Sequence, residues 1–414
     1  MDKEENIVEG MLKARWVEVV DVFRVESANI NAGEGGPTEI DVKTIHLEDG
    51  TVVPRISPQA IFRMIRDYWI DEEEKVDIAK YEPGRALLAS ELKYDARTYI
   101  DDDLFGYLYA DKVEARPGPI RSIGAIGLFE YPDDTDFMTS IVSPTEKEAG
   151  GAMVTRRLYT NTFVFPIWCD MKRISKEIIT ETSEPLNNNY LPDPKKIPDV
   201  LKPKIWYDRE NKSVIFRGAM SEREKDRLLK LSENVEYKKT IEALFKKAQL
   251  LELPAEERKR RMKLFFESLF YLGKFAPGAY KQPLPPKLLM IGVFSKPNIM
   301  LYDALQNDLT VRLKEARLQK EFDERRNEEK VVSIASGKVV FSIELNSLLE
   351  KINLYANDII NIYIGIMESF FDKNAKDYQE EINSLLNKNN SLKVLKGKIH
   401  IKKLSDLKNN LLSS

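Results

Sequence analysis

Cysteine is almost absent from this 414-residue chain, where Cys169 stands alone. One thiol closes no disulfide within the chain, so a packed core has to hold the fold. Histidine is nearly as scarce: His46 and His400 are the only two, which excludes a Cys/His zinc cluster. No apolar run reaches the length that spans a bilayer, so no membrane contact is expected. The opening MDKEENIVEG is acidic and carries no apolar secretory segment. A reducing, cytoplasmic setting follows as the expectation. The signatures of common chemistry are missing as well. There is no nucleophile elbow, no Walker loop and no dinucleotide fingerprint. GEGG (Gly33–Gly36) is not followed by the helix opening that a phosphate-cradling loop requires. The chain does not read as an enzyme, and neither a metal nor an organic cofactor is expected.

What is present is charge and a substantial apolar fraction. The chain is 43% hydrophobic and 32% charged, enough for two or three lobes or one enlarged domain. The net charge of −3 hides a segregation. Residues 1–150 hold 17 Lys/Arg against 32 Asp/Glu, a balance of −15, and residues 151–300 hold 29 against 18, a balance of +11. A basic lobe binds polyanions, and acidic and basic lobes on one chain also favour head-to-tail stacking of copies. The same charges otherwise serve only to solvate helix surfaces.

Along the chain, RWVEVVDVFRVESANIN alternates like a strand. AGEGGPTE breaks it, and IDVKTIHLEDGTVVPRIS reads as a hairpin around an Asp49-Gly50 turn. PGRALLASELKYDARTYIDDD predicts a second helix ending in Asp101–Asp103. Three consecutive carboxylates suit a hard cation such as Mg²⁺ by type, but they cannot all face one ion, so they read as a helix-end charge run. PDDTDFMTSIVSPTEKEAGGA reads as a protruding loop or hairpin, and MVTRRLYTNTFVFPIWCDMKRI as one bent strand or two. A Pro/Asn linker covers Ser183–Pro203. SVIFRGAM is strand-like, and helical sequence is expected from Ser221 to about Phe275. KLLMIGVFSKPNIMLYD predicts a buried strand and turn, and ALQNDLTVRLKEARLQKEFDERRNEE a helix. KVVSIASGKVVFSIELNSLLEKI returns to strand and then helix, and everything from NDIINIYIGIMESFF onward reads as helical. The pattern makes an α+β protein: an antiparallel sheet with helices on one face and large insertions.

One helix carries more than a core face. In RISPQAIFRMIRD (Arg55–Asp67), Ser57 is placed as N-cap and Pro58 fits the first helical position. Ile61, Ile65 and Trp69 share one face, while Gln59, Arg63 and Arg66 follow the i, i+4, i+7 spacing of the other. Neutral donors at a helix N-terminus with two cations further along fit a run of phosphates. A solvated arginine face is the plainer reading.

The order VESANIN, AGEGG, DVKTIHLEDG and RISPQAIFRMIRD resembles the start of the backbone subunit of type I CRISPR Cascade complexes, in the DevR-like branch of CRISPR-associated family seven. DDDLFGYL (Asp101–Leu108), PIRSIGAIGLFEYPDDTDFMT and RRLYTNTFVFPIWCDMKRI are similar to the blocks that follow there. The resemblance covers roughly residues 12–180. It implies a modified RNA-recognition-motif (ferredoxin-like) core over 12–180 with a thumb loop at about 133–151. A mainly helical, finger-like insertion would occupy 204–285, returning core strands and a helix 286–345, and a helical tail 346–414. It implies that copies polymerise along a CRISPR RNA, with other Cascade subunits (large, cap and RNA-processing) and a target DNA strand recruited by guide pairing. Carried over onto the family's RNA-gripping positions are Asn29, Asn31, Ser57, Gln59, Arg63 and Arg66. Charge and position add Arg156 and Arg157, and also Arg121. Phe62 departs from relatives that carry a basic residue there. A second reading is a type III-like subunit that cuts target RNA with metal and an acid from Asp133, Asp134 or Asp136. A third is a structural protein that binds no RNA.

Overall fold

The computed structural model describes residues 7–31, 39–71, 96, 98–109, 114–131, 134–140, 152–180, 205–208, 213–216, 219–220, 248–274, 282–314, 317–323, 328–335 and 338–413. The GEGG segment, Asp133, the tip 141–151, the linker, most of the second expected helix and residues 221–247 lie outside them. The chain divides into two compact units. Unit 1 comprises Met1–Trp16, Phe62–Arg121 and Trp168–Ser268, and unit 2 comprises Val17–Ile61, Ser122–Ile167 and Leu269–Ser414.

The α-helices among the described residues are α1 (Ile7–Lys13), α2 (Pro58–Asp71), α3 (Ile100–Phe105), α4 (Ala255–Phe270), α5 (Met300–Asp308), α6 (Leu345–Asn353), α7 (Ala375–Lys388) and α8 (Leu404–Leu412). The large sheet is built from β1 (Trp16–Ala28), β2 (Glu39–Ile40), β3 (Thr44–His46), β4 (Val52–Ile56), β5 (Ile120–Arg121), β6 (Ala125–Gly127), β7 (Asp134–Ser140), β8 (Ala152–Asp170), β9 (Leu288–Phe294), β10 (Ile359–Ile366) and β11 (Ile399–Lys403). Its strand order is β11-β10-β9-β1-β8-β6-β4-β3, and β2, β5 and β7 each pair with β8.

In unit 2 the hairpin reading holds. Thr44 pairs with Pro54 and His46 with Val52, and the Asp49 carboxylate accepts from the Thr51 N–H to close the turn. The Val-rich β1 is buried along most of its length, and β9 along all of it. The bent-or-double strand is one strand of 19 residues, with Asp134–Ser140 antiparallel to Ala152–Leu158.

Four expectations are corrected. The sheet is mixed rather than antiparallel: β2 runs parallel to β8, and β11 parallel to β10, because α7 is a crossover between β10 and β11. The C-terminal region is not uniformly helical. Ile359–Ile366 is a strand with five isoleucines, whose β-branched side chains pack on a pleated surface. The helix expected over Ala304–Glu329 ends at Asp308; Leu309–Lys314 then pairs antiparallel with Lys338–Ile343, and Arg317–Asp323 with Glu328–Ala335. Ala248–Glu252 is likewise a strand just before α4. Local helix propensity in these charged stretches yields to hydrogen bonding with a partner strand.

The outer edge of β11 is covered by a side chain. Gln379 of α7 accepts from the Ile401 N–H (2.6 Å) and donates to the Ile399 carbonyl (3.3 Å), taking the place of a further strand.

Two carboxylates are buried in β1, and their fates differ. Glu18 accepts from the N–H groups of Leu301 and Tyr302, at 2.8 and 3.0 Å, and so caps α5, whose own N-cap Ile299 supplies no side-chain bond. Asp21 is fully buried and neither oxygen has a hydrogen-bond partner among the described residues, so burial pushes its pKa well above the ordinary 3.8. The folded state therefore keeps a proton that the unfolded chain releases above about pH 4. The stability linked to Asp21 is full below that pH and falls as pH rises toward the folded value, by about 1.4 kcal/mol per unit. Asp21→Val is expected to remove this slope and to be more stable than the parent at pH 8. Urea midpoints by circular dichroism from pH 4.5 to 8 check it, and parallel profiles for parent and variant would refute it.

Candidate nucleic-acid interface

Unit 2 brings several of the residues selected from sequence together at the end of β1 and the start of α2. Ser57 is the N-cap: its Oγ accepts from the Ala60 N–H at 3.3 Å. The Asn31 side-chain oxygen accepts from both the Ser57 N–H (2.8 Å) and the Ser57 hydroxyl (2.7 Å), so the end of the first strand is tied to the start of the helix. The helix's first donors are largely spent inside the protein. Pro58 has no N–H, and Ala60 and Ile61 bond back to Ser57. Gln59, the next residue on the outer face, is exposed.

Asp41 links the other members. Its carbonyl accepts from Asn29 Nδ2 at 2.9 Å, and its carboxylate meets Arg157 Nε at 3.1 Å. Asn29 is 4% exposed, and its Oδ1 has no hydrogen-bond partner among the described residues. Tyr159, whose hydroxyl accepts from the Ile30 N–H at 3.2 Å, is fully buried, and that burial raises its pKa. Neutral donors and acceptors thus line a short path, with Arg157 beside them.

Two further cations stand here that the helix stripe and the family resemblance do not point to. Lys43 is exposed and lies between Asn31 and Arg55 in the backbone ladder. Its N–H donates to the Asn31 carbonyl (3.3 Å), and its carbonyl accepts from the Arg55 N–H (2.7 Å). Arg55 is half-buried and donates to the Ile123 carbonyl at 2.9 Å. The sequence signal for Lys43 is the alternation of buried Val42 with exposed Lys43, which a reading of the hairpin by its turn does not use. Gly124 lets the chain between β5 and β6 press on this place. Its φ is +91°, and a Cβ there would sit 2.3 Å from the Ile56 carbonyl oxygen and 3.1 Å from Pro58.

Arg63, Arg66 and Arg121 are placed in unit 1 and are engaged differently. Arg63 pairs with Asp67 at 3.0 Å, one turn along α2. Arg66 pairs with Asp101 at 2.9 Å, where the carboxylate is 6% exposed, and its guanidinium lies 5.1 Å from the Phe105 ring. The arginines of the stripe therefore do not simply face solvent. Phe62 stacks on Phe105 at 4.3 Å, which gives its departure from a basic residue a packing reason. Arg121 is exposed and donates to the Gly118 carbonyl at 3.2 Å. The Arg156 backbone pairs with Ile40 and Asp136; its side chain, like those of Asp134 and Asp136, lies outside the described residues.

The Asp101–Asp103 run is neither a cation site nor a solvated helix end. All three residues are buried. The Asp103 carboxylate is filled by four protein donors: Arg116 (2.9 Å) and the Ser175 N–H (2.9 Å) on one oxygen, Arg261 (2.9 Å) and the Ser175 hydroxyl (2.5 Å) on the other. Arg116 also donates to the Asp102 and Asp103 carbonyls. This cluster holds unit 1 together.

No family model and no curated protein matches the chain. Among solved structures, it is similar to a chain of a "CRISPR RNA-guided surveillance complex", with a TM-score of 0.40 and 13% identity over 89% of this chain and 99% of that one. A second, "CRISPR RNA-guided surveillance complex, pre-nicking", gives 0.41 and 11% identity over 90% and 99%.

Proposed function

We propose that this chain is a CRISPR RNA-binding backbone subunit of a type I Cascade complex, a modified RNA-recognition-motif protein that grips the sugar–phosphate chain and performs no reaction of its own. In this reading copies of the chain line up along the guide. The bases stay available to a target DNA strand, and the large, cap and RNA-processing subunits complete the particle. The observation that carries it is the Asn31–Ser57 tie. It fixes two neutral polar residues and exposed Gln59 at one place in unit 2, with Lys43, Arg55 and Arg157 around them and Asp41 as the local counter-charge. Such a set recognises phosphate and ribose without reading bases. The ordered motifs from VESANIN to RRLYTNTFVFPIWCDMKRI agree with it.

The test is a binding titration of the full chain with an RNA of about 40 nucleotides at several salt concentrations, where the salt slope counts the phosphates neutralised. Changing Lys43, Arg55 and Arg157 together to Gln is expected to weaken binding about tenfold or more. The log–log salt slope should fall by about 0.7 for each phosphate that is no longer neutralised. RNAs of equal length and different sequence should bind alike. Unchanged affinity and slope in the triple variant would refute the reading.

A further inference from the structure

We infer that the α8 side of β10 and β11 is a second binding surface, one that takes single-stranded nucleic acid by stacking a base on the Tyr363–His400 pair. It lies wholly within unit 2 and stands independently of the interface around Asn31 and Ser57. Tyr363 and His400 are direct partners across the parallel pair of strands, and their rings stack at 5.3 Å with an interplanar angle of 20°. Both are half-buried. Side chains alternate along a strand, so Gly365, paired with Lys402, shares their face. That face is also the one on which α8 sits: a Cβ on Gly365 would lie 2.7 Å from Leu407 and 3.1 Å from Leu404. The helix thus covers Gly365 and leaves the two rings beside it partly open.

Lysine is frequent in this stretch of the chain. Lys402 follows His400 on the same face of β11. Lys408 of α8 donates to the Tyr271 hydroxyl at 2.8 Å and lies 4.3 Å from that ring, which is 46% exposed. Residues 388–408 hold seven lysines against one acid, Asp406. Lys403 is paired with Glu368 and Lys398 bonds to the Ala356 carbonyl, while Lys388, Lys393 and Lys396 are exposed. Edge-covered β11 cannot recruit a peptide strand, because Gln379 already occupies its outer hydrogen bonds. Aromatic rings on a sheet, with Lys402 on the same face and a lysine-rich stretch of chain next to it, instead match the stacking platform and phosphate contacts of single-strand binding.

The test uses the full chain and a fluorescein-labelled oligouridylate of about 12 nucleotides, within the span of a single-strand site. Tyr363→Leu is expected to weaken binding about tenfold, and Tyr363→Phe to bind as the parent does. Lys402→Gln with Lys408→Gln should lower the salt slope by about 1.4. An oligonucleotide carrying 5-iodouridine should crosslink to Tyr363 or His400. Parent affinity in Tyr363→Leu, equal losses in the Leu and Phe variants, or crosslinks confined to other peptides would overturn the proposal. Should Tyr363→Leu fail to fold, His400→Ala and the crosslinks of the unaltered protein decide by the same criteria. The triple variant at Lys43, Arg55 and Arg157 tests the other interface, so failure of either reading is seen separately.

Discussion

Asp103→Ala is expected to cost unit 1 about 3–5 kcal/mol, the loss that follows when one partner of a buried ion pair is removed. The reason is the company it keeps. Arg116 and Arg261 are both essentially buried, and both put a guanidinium nitrogen 2.9 Å from this carboxylate. Without it two buried positive charges lie close together with less to offset them. Arg261 retains Glu257 at 2.9 Å and the Ala96 carbonyl at 2.8 Å, whereas Arg116 falls back on backbone carbonyls, those of Asp102, of position 103 and of Arg173. Ser175, held at φ +54° by two bonds to Asp103, loses both anchors as well. Asp103→Asn keeps the shape and removes the charge, so it should show most of the loss. All four tryptophans, Trp16, Trp69, Trp168 and Trp206, belong to unit 1, so urea unfolding followed by tryptophan fluorescence reports this unit. A change below about 1 kcal/mol in both variants would mean that the cluster is not the organiser of unit 1.

Gly124→Ala is expected to cost unit 2 about 3 kcal/mol and to weaken RNA binding together with stability. Two effects add. A φ of +91° is strained for any residue with a Cβ, and here the Cβ would also overlap the Ile56 carbonyl oxygen at 2.3 Å. Backbone cannot rotate away as a side chain would. Relief requires shifting Ile56–Pro58, which carries Ser57 away from Asn31. Gly50 supplies the control: its φ is +87°, but nothing lies within 4 Å of where its Cβ would go. Gly50→Ala should therefore show the strain alone, about 1 kcal/mol, and leave RNA affinity unchanged. Equal effects of the two substitutions on stability and RNA binding would show that the close approach at Gly124 does not set the geometry at the start of α2.

The stretches legible in the sequence are those whose signal is local. Asp49-Gly50 between two short apolar runs specifies its hairpin by turn geometry, and Ser57-Pro58 specifies a helix start by capping. Spacing puts Ile61, Ile65 and Trp69 on a core face, and all three are fully buried. The stretches that mislead are those where pairing outweighs propensity. Arg317–Asp323 is a charged sequence that suits a helix, and it becomes a strand through its ladder with Glu328–Ala335. Ile359–Ile366 runs without a break into the helical pattern after it, although buried pairing with Leu288–Phe294 on one side and Ile399–Lys403 on the other fixes it as an inner strand.

The sequence by itself determined the early order of strand, hairpin and helix, the polar residues at their junction, and the face on which the helix is anchored. Only the tertiary structure decided what the charges do. Asp101–Asp103 and Arg66 read as surface groups because their partners are remote in sequence: Asp103 meets Arg116 across 13 residues and Arg261 across 158, and Arg66 meets Asp101 across 35. A charge has no preferred partner along the chain, and its effect depends on which opposite charge and how little water the fold places beside it. The same physics took Arg66 into an ion pair with buried Asp101 and put Lys43 at the surface, next in the ladder to Asn31.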